Sequence, residues 1–323
     1  MKSETISEAA IKGAVTPPKK SRWRAVKREW YKNYDLYLLL LPGIIFFAIF
    51  RYIPMAGYII AFKDYNMFKG LWESEWAGFK YFREMVDLVN FWPMIRNTIM
   101  LNVWALIFGF PAPIILALML NEIRKKWFKR VSQSLLYIPH FMSWIILGGI
   151  VYNVLSPTYG IVNELMRRLG MEEIYFMIDS VWWVIAYVGS GIWASAGWGT
   201  ILYLAAMTAI DPALYESAEI DGAGRFKKVL HITIPGIMPT ILILLIINIG
   251  NLTTVGFEHI FAMQNAAVQD VAQVISTFIY SYGIQQGNFS VTTAVDTVQS
   301  LINLVLILGA NYTVRKMGRE GLW

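Results

Sequence analysis

The sequence contains no cysteine and only three histidines, His140, His231 and His259, which lie far apart. The absence of cysteine excludes disulfide bonds, thiol catalysis and cysteine metal sites, and it leaves the redox compartment undetermined. The phosphate-binding loop GxxxxGK followed by Ser or Thr is also missing, so this chain is not expected to bind or hydrolyse ATP. Neither HExxH nor GxSxG occurs, and no group of residues has metal-ligand spacing. The residue pattern therefore predicts no enzymatic site, no metal and no cofactor in this chain.

Charged residues are scarce as well, since they make up 15% of the chain while hydrophobic residues make up 56%. This composition is too apolar for a soluble globule, and 323 residues are too many for a single membrane anchor. Six segments reach the roughly 20 apolar residues that a bilayer crossing needs. They are residues 36–57, 98–120, 132–155, 181–207, 236–257 and 291–313. The sequence thus predicts an all-α, polytopic membrane protein with six transmembrane helices.

Basic residues predict the orientation of these helices. Lys and Arg are concentrated in the tail 1–35, the loop 121–130, the stretch 211–235 and the C-terminal tail 314–323. Cytoplasmic segments carry such an excess, so both termini and the stretch 211–235 are predicted to be cytoplasmic. The basic tail adjoins a membrane segment, which favours contact with membrane lipid and not with nucleic acid. Residues 36–97 then form the first membrane helix and an outer amphipathic segment, and residues 98–313 form the core domain.

The charged stretch 211–235 lies between two predicted spans and has local signals for two helices. Asp211 can cap a helix that begins at Pro212 and runs to about Ile220. Proline is tolerated at the first position, because an N–H group there would have no partner within the helix. Gly222 permits a turn, and Asp221 is expected to cap a second helix from Gly224 to about His231. The prediction is an exposed, rigid elbow between membrane helices.

The same stretch carries a spaced motif. Glu216-Ser217-Ala218 is followed by three residues, Gly222, nine residues and Ile232-Thr233-Ile234-Pro235, while Asp221, Ala223 and Pro239 extend the pattern. This motif resembles the EAA signature of permease subunits from binding-protein-dependent ABC importers, with Ser217 for the first Ala and Ile234 for the usual Leu. An ordinary amphipathic loop helix is the alternative interpretation.

The resemblance implies a fold, a location and a set of partners. It implies the MetI-like permease fold in the bacterial plasma membrane, with a second homologous permease, two ATPase subunits that bind ATP and Mg, and an extracytoplasmic solute-binding protein. The elbow would be the segment that couples to an ATPase. Glu216 would contact the ATPase, Gly222 would permit the corner, and Pro235 would determine where the fifth span begins. The coupling residues implied by the motif are Glu216, Ser217, Ala218, Asp221, Gly222, Ala223 and Pro235.

Further motifs point to one branch of these permeases. Arg51-Tyr52-Ile53-Pro54, Gly57 and residues 60–65 resemble the beginning of LplB/YteP-type permeases, and so do Gly256-Phe257-Glu258, residues 270–280 and the terminal Leu322-Trp323. This branch belongs to the carbohydrate-uptake group of ABC importers. The resemblance therefore implies a sugar or oligosaccharide cargo.

Polar and aromatic residues inside the predicted spans are candidates for the substrate pathway. Indole faces suit the apolar faces of sugar rings, and amides or hydroxyls can match sugar hydroxyls. The candidates are Trp193 and Trp198 in the fourth span, Asn248 and Asn251 in the fifth, and Asp296, Gln299, Ser300 and Asn303 on one face of the last. The last four could instead pair with a neighbouring subunit or helix end, and aromatic or small residues could simply pack helices or form an interfacial belt.

Other functions are compatible with a polytopic chain. An ion-coupled secondary transporter would show internal repeats and ion sites near the midplane, whereas no convincing repeat is found and Asp296 is weak support. A membrane enzyme would group acids or metal ligands at one interface, and the nearest candidate is Glu258 with His259, interpreted as a contact at an outer helix end. An ABC permease for peptides or lipid-linked compounds is the third alternative.

Overall fold

The computed structural model describes residues 32–319 and 321–322. Most of the predicted tail 1–35 lies outside the described residues, as does Trp323. The chain is mostly helical, as the sequence predicts, and its described part includes one two-stranded sheet. The elements are α1 (Tyr34–Phe62), β1 (Lys63–Asp64), α2 (Gly70–Glu73), β2 (Glu75–Trp76), α3 (Lys80–Asp87), α4 (Phe91–Glu122), α5 (Lys126–Phe141), α6 (Trp144–Leu155), α7 (Ile161–Arg168), α8 (Ser180–Thr208), α9 (Pro212–Ile220), α10 (Arg225–Gly250), α11 (Phe257–Met263), α12 (Gln269–Ala272), α13 (Ile275–Phe278) and α14 (Phe289–Lys316).

The chain divides after Gly57 into two compact units. The first unit, described from Lys32, holds most of α1 and exposes apolar side chains such as Leu38, Leu39 and Phe50. The second unit begins at Tyr58 and contains every later element. All the sites described below lie in the second unit.

Four helices are long and apolar enough to cross a membrane, namely α1, α4, α10 and α14. The pair α5 and α6 passes the same test only when taken together, and the two helices meet at 105°. Helix α8 has 29 residues, but its tryptophans, glycines and serines make it less apolar than the four. By length and composition, the described residues thus contain four or five candidate spans.

Two predicted spans have different bounds in the structure. The segment predicted as one span at 132–155 breaks between α5 and α6, where Pro139 lies in a 3₁₀ turn and Ser143 caps α6 by accepting from the Ile146 N–H. Proline cannot donate a helix hydrogen bond, and a serine at the N-cap begins a new helix, so the break has a local cause. The span predicted at 236–257 begins earlier, at Arg225, and ends at Gly250.

Helix α8 is the centre of the core. Its N-terminal half, with Trp183 and Tyr187, packs with Ile260 and Met263 of α11 in one hydrophobic cluster. Its other half, with Tyr203 and Met207, packs with Ala117 of α4 and Ile237 of α10 in another. Burial of these apolar side chains holds α4, α10 and α11 around α8.

The outer segment after α1 is held against α14. Strand β1 pairs antiparallel with β2, with Lys63 opposite Trp76. The Lys63 ammonium donates to the carbonyl oxygens of Leu71 (2.8 Å) and Trp72 (3.2 Å), and the Ser290 hydroxyl donates to the Lys63 carbonyl oxygen at 2.7 Å. These bonds make the segment a structured hairpin.

Tyr81 adds a further hydrogen bond to this hairpin. Its hydroxyl donates to the Asp64 carboxylate at 2.7 Å. Burial, together with this contact to Asp64, raises the pKa of Tyr81 to about 12. The phenol therefore remains a donor at physiological pH.

Candidate functional site: the elbow and the helix cavity

The first helix of the elbow has the bounds that the sequence predicts. Helix α9 runs from Pro212 to Ile220, and the Asp211 carboxylate accepts from the Ala213 N–H at 2.9 Å. Glu216 and Ile220 lie one helical turn apart on an exposed face of α9, and Leu214 is exposed elsewhere on the helix. A charged and partly apolar face of this kind suits a protein partner.

The corner after α9 depends on Gly222. Its φ is +74°, in the left-handed region that glycine adopts without steric cost. The Ala223 N–H donates to the Ala218 carbonyl oxygen at 2.8 Å, which closes the end of α9. The corner therefore forms where the sequence predicts it.

The second half of the elbow differs from the prediction in two respects. Asp221 does not cap the next helix, because the residue before that helix is Gly224, which lacks a side chain to do so. The helix also does not end near His231 but continues as α10 to Gly250. A π-helical turn at Val229–Thr233 lies within α10, and regular α-helix resumes at Ile234 with Pro235 in its first turn, where a missing N–H is tolerated. Pro235 therefore lies at the start of the regular α-helical part, although the continuous helix begins at Arg225.

Three contacts hold the elbow in place. The Tyr215 hydroxyl and the buried Thr233 hydroxyl lie 2.9 Å apart in a hydrogen bond that joins α9 to α10. Lys228 pairs with Glu219 at 3.2 Å across the corner, and Arg225 lies 3.9 Å from Glu122 at the end of α4. These contacts join α9 to α10 and the start of α10 to the end of α4.

A cavity of about 540 Å³ opens among α4, α6, α8, α10 and α11. Its wall combines aromatic rings with amides and hydroxyls in an otherwise apolar surface. The polar and aromatic side chains in the wall are Asn102, Phe110, Trp144, Tyr187, Ser195, Trp198, Tyr203, Asn248, Asn251, Thr254 and His259. The volume is in the range of sites that bind small molecules.

The wall of this cavity is held by stacked rings. His259 lies between Trp144 and Tyr187, with ring centroids 3.6 Å and 3.9 Å away. Its Nε2 is 3.1 Å from the Ser190 hydroxyl, and it is buried. His259 is therefore a buried residue of the cavity wall in the first turn of α11, and the interpretation of Glu258 with His259 as a contact at an outer helix end stays a prediction.

The structure brings three of the predicted pathway residues into the cavity wall: Trp198, Asn248 and Asn251. Trp198 also stacks on His140, with ring centroids 4.7 Å apart. Trp193 lies outside the wall and is exposed. The structure thus distinguishes Trp198, which lines the cavity, from Trp193, which does not, although the sequence predicts both as candidates.

The polar face of α14 lies elsewhere. Asn303 bonds to the hydroxyls of Thr253 (2.6 Å) and Thr254 (2.9 Å), and the Gln299 amide donates to the Thr253 carbonyl oxygen. These threonines follow the end of α10, so this geometry matches the alternative in which the face pairs with a neighbouring helix end. Asp296 and Ser300, near Tyr58, are also absent from the wall. A substrate role for all four residues stays a prediction.

Several wall residues were not predicted. Asn102 and Tyr203 are polar residues within apolar runs, a signal that could have identified them. Trp144 enters the wall because the chain bends after α5. Within residues 32–319 and 321–322, no group of three acidic or histidine side chains is placed to hold a metal ion.

Comparisons with known proteins agree with this arrangement. Residues 109–319 match the family described as "Binding-protein-dependent transport system inner membrane component". Protein LplB of Bacillus subtilis (strain 168) is 44% identical, over 99% of this chain and 100% of LplB. The polygalacturonan/rhamnogalacturonan transport system permease protein YteP of the same strain is 42% identical, over 98% of each chain.

A solved structure has the same fold. A chain of a bacterial alginate ABC transporter, crystallised in complex with an alginate pentasaccharide-bound periplasmic protein, is similar with a TM-score of 0.82 at 40% identity. The match covers 93% of this chain and 99% of that one. The motif at the elbow, the family match and the full-length relatives agree, and the chain belongs to the inner-membrane permease components of binding-protein-dependent ABC importers.

Proposed function

We propose that this chain forms half of the membrane pathway through which an ATP-driven importer takes up a sugar or oligosaccharide delivered by an extracytoplasmic binding protein. The observation that carries the proposal is the cavity, whose indole rings can pack on the apolar faces of sugar rings and whose amides can hydrogen-bond to sugar hydroxyls. The relatives support it, since YteP is named for the transport of polygalacturonan and rhamnogalacturonan, and the similar solved structure is an alginate transporter. The chain itself is a transport component and not an enzyme.

The amides of the cavity would bind sugar hydroxyls both as acceptors and as donors. One side-chain N–H of Asn248 donates to the Leu244 carbonyl oxygen at 2.8 Å, and one of Asn102 donates to the Thr98 carbonyl oxygen at 3.0 Å. These bonds leave each amide oxygen and the second N–H available to a ligand. A hydroxyl group can donate to the oxygen or accept from the N–H, so the wall is complementary to a polyhydroxylated cargo.

Coupling would pass through α10, which joins the elbow to the cavity. This helix begins at Arg225 beside the corner and runs without a break to Gly250, and it carries Asn248 into the cavity wall. The proposal places Glu216 and the rest of the coupling motif (Ser217, Ala218, Asp221, Gly222, Ala223) against an ATPase subunit that binds ATP and Mg. When two ATPase subunits close, the elbow moves with one of them, and α10 transmits the movement to the substrate.

The membrane topology of the proposal uses six spans. The six proposed crossings are the four apolar helices, α8, and the bent pair of α5 and α6 taken as one span. Both termini and the elbow then lie on the cytoplasmic side of a bacterial plasma membrane, in agreement with their basic residues. A second, homologous permease would complete the pathway.

Co-purification tests the proposal. Tagged wild type isolated from its host should bring an ATPase and a second permease, as identified by mass spectrometry. Glu216→Lys places the wrong charge at the predicted ATPase contact and should lower the recovered ATPase by about tenfold or more, while the second permease stays bound. Glu172→Lys, the same change on an exposed residue of the loop after α7, is the matched control and should retain both. Recovery of the chain without any ATPase under gentle solubilisation would favour a secondary transporter.

A further inference from the structure

An apolar groove of about 690 Å³ lies between α4 and α8, beside the cavity described above, with which it shares Val188 and Ile192 as lining residues. Met100, Trp104 and Phe108 line one side, and Val184, Ile185 and Ile192 line the other. Phe108 and Ile185 remain more than half exposed, at 56% and 55%. In a membrane protein, a surface of this kind is covered either by lipid or by another protein chain.

Two opposite charges lie at one end of this groove. Arg96 is one helical turn before Met100 on α4, and its Nη2 donates to the Asp270 carbonyl oxygen at 3.1 Å. The Asp270 carboxylate accepts from the Ser180 hydroxyl at 2.8 Å, and Ser180 and Val271 line the groove. Arg96 and Asp270 take part in none of the ion pairs formed by the described residues.

We propose that this groove binds an acyl chain of a phospholipid whose head group carries both a phosphate and a primary ammonium, as phosphatidylethanolamine does. The phosphate would accept from the Arg96 guanidinium, and the ammonium would donate to the Asp270 carboxylate. Along α8 the groove runs from Ser180 to Ile192, which is roughly 18 Å at 1.5 Å per residue. One leaflet of the hydrocarbon core is about 15 Å deep, so an acyl chain from a single leaflet would fill the groove.

The pair of charges distinguishes this ligand from its competitors. An anionic lipid would meet Arg96 but would be repelled by Asp270, whereas a zwitterionic head group satisfies both. A helix of another permease chain could cover the apolar groove, but it would leave Arg96 and Asp270 without counter-charges at a protein interface, which costs free energy. The combination of the groove and the two charges therefore favours the lipid.

Two kinds of variant test the proposal independently. A Cβ added at Gly189, which lines the groove, would meet no atom within 4 Å, so Gly189→Phe can direct a ring into the groove without a clash at its Cβ. Gly149→Phe is the matched control, because Gly149 on α6 is equally open and lies outside the groove. Asp270→Asn and Arg96→Gln each remove one charge at an exposed position. The amide oxygen introduced by Asp270→Asn can still accept from the Ser180 hydroxyl, which lines the groove, whereas Arg96→Gln also loses the guanidinium bond to the Asp270 carbonyl oxygen.

The measurement is native mass spectrometry of the assembled transporter with phosphatidylethanolamine or phosphatidylglycerol added. We expect wild type and Gly149→Phe to retain phosphatidylethanolamine preferentially, and Gly189→Phe to lose about tenfold in occupancy. Arg96→Gln should weaken both lipids by roughly fivefold, and Asp270→Asn should reduce the preference for phosphatidylethanolamine by a similar factor.

Three results would overturn the proposal. The first is equal binding of the two lipids by wild type, and the second is equal lipid occupancy in Gly189→Phe and Gly149→Phe. The third uses a photo-crosslinking side chain at the exposed Ile185 in the assembled transporter. Attachment to a protein chain there would identify a partner helix as the occupant, whereas attachment to phosphatidylethanolamine would support the lipid.

Discussion

Trp193 and Trp198 lie on the same helix, α8, and are equally exposed at 45%. Five positions along an α-helix turn the side chain by more than a third of a circle, so the two indoles point in different directions. Trp198 faces the cavity, where His140 stacks on its ring, and Trp193 does not. At the scale of single residues, the direction of the side chain and not its type or exposure decides which tryptophan can meet the cargo.

Trp198→Ala should therefore impair transport more than Trp193→Ala does. An aromatic contact contributes about 0.5–1.5 kcal/mol beyond burial, so loss of the Trp198 ring should raise the KM for uptake by up to about tenfold. Uptake of labelled oligosaccharide by the assembled transporter in proteoliposomes measures this, with Trp193→Ala as the control expected within about twofold of wild type. Equal effects of the two substitutions would mean that the cavity is not the pathway.

At the scale of elements, the pair of α9 and α10 links the surface of the chain to its interior. The corner at Gly222 sets the angle of the pair, and the Tyr215 to Thr233 hydrogen bond holds it. Because α10 continues through its π-helical turn, one helix extends from the elbow to the cavity wall. The geometry of the corner should therefore affect transport without changing the cavity.

Gly222→Ala is expected to reduce uptake, because any side chain at φ +74° costs about 1–2 kcal/mol and should shift the corner. Gly224→Ala is the matched control: Gly224 has φ −68° and open space around its Cα, so the same methyl group should be tolerated. Gly222→Asp, which adds charge and bulk, should abolish uptake. Membrane insertion and uptake are measured for each variant. Normal uptake by inserted Gly222→Asp would contradict the coupling role of the corner.

At the scale of the whole molecule, the elbow and the outer hairpin are proposed to lie on opposite sides of the membrane. The hairpin exposes Phe68 almost completely, at 99%, and the elbow exposes Phe226 at 80%. The chain contains no cysteine, so a single introduced thiol would be the only one available for labelling. The molecule is thus suited to a direct test of its orientation.

A membrane-impermeant maleimide should label Phe68→Cys in intact cells but label Phe226→Cys only after permeabilisation. The reason is that the positive-inside rule places the basic elbow in the cytoplasm. The unmodified chain, which lacks cysteine, is the background control. Labelling of Phe226→Cys from outside would invert the topology and remove the ATPase contact from the proposal.

Local signals in the sequence were sufficient for several of these features. The start and end of α9 follow from Asp211, Pro212 and Gly222, because capping and a positive φ are properties of neighbouring residues. The membrane class follows from long apolar runs. The family resemblance followed from the spaced motif at the elbow, and the family match confirms it.

The sequence by itself determined the class of the protein, its family and the first half of its elbow, because composition, spacing and capping act over short distances along the chain. Only the tertiary structure decided that α10 begins before Pro235, that Gln299 and Asn303 meet the end of α10, and that His259 is buried between Trp144 and Tyr187. Helical periodicity assigns a residue to a face, but the neighbour of that face is set by packing between elements distant in the chain.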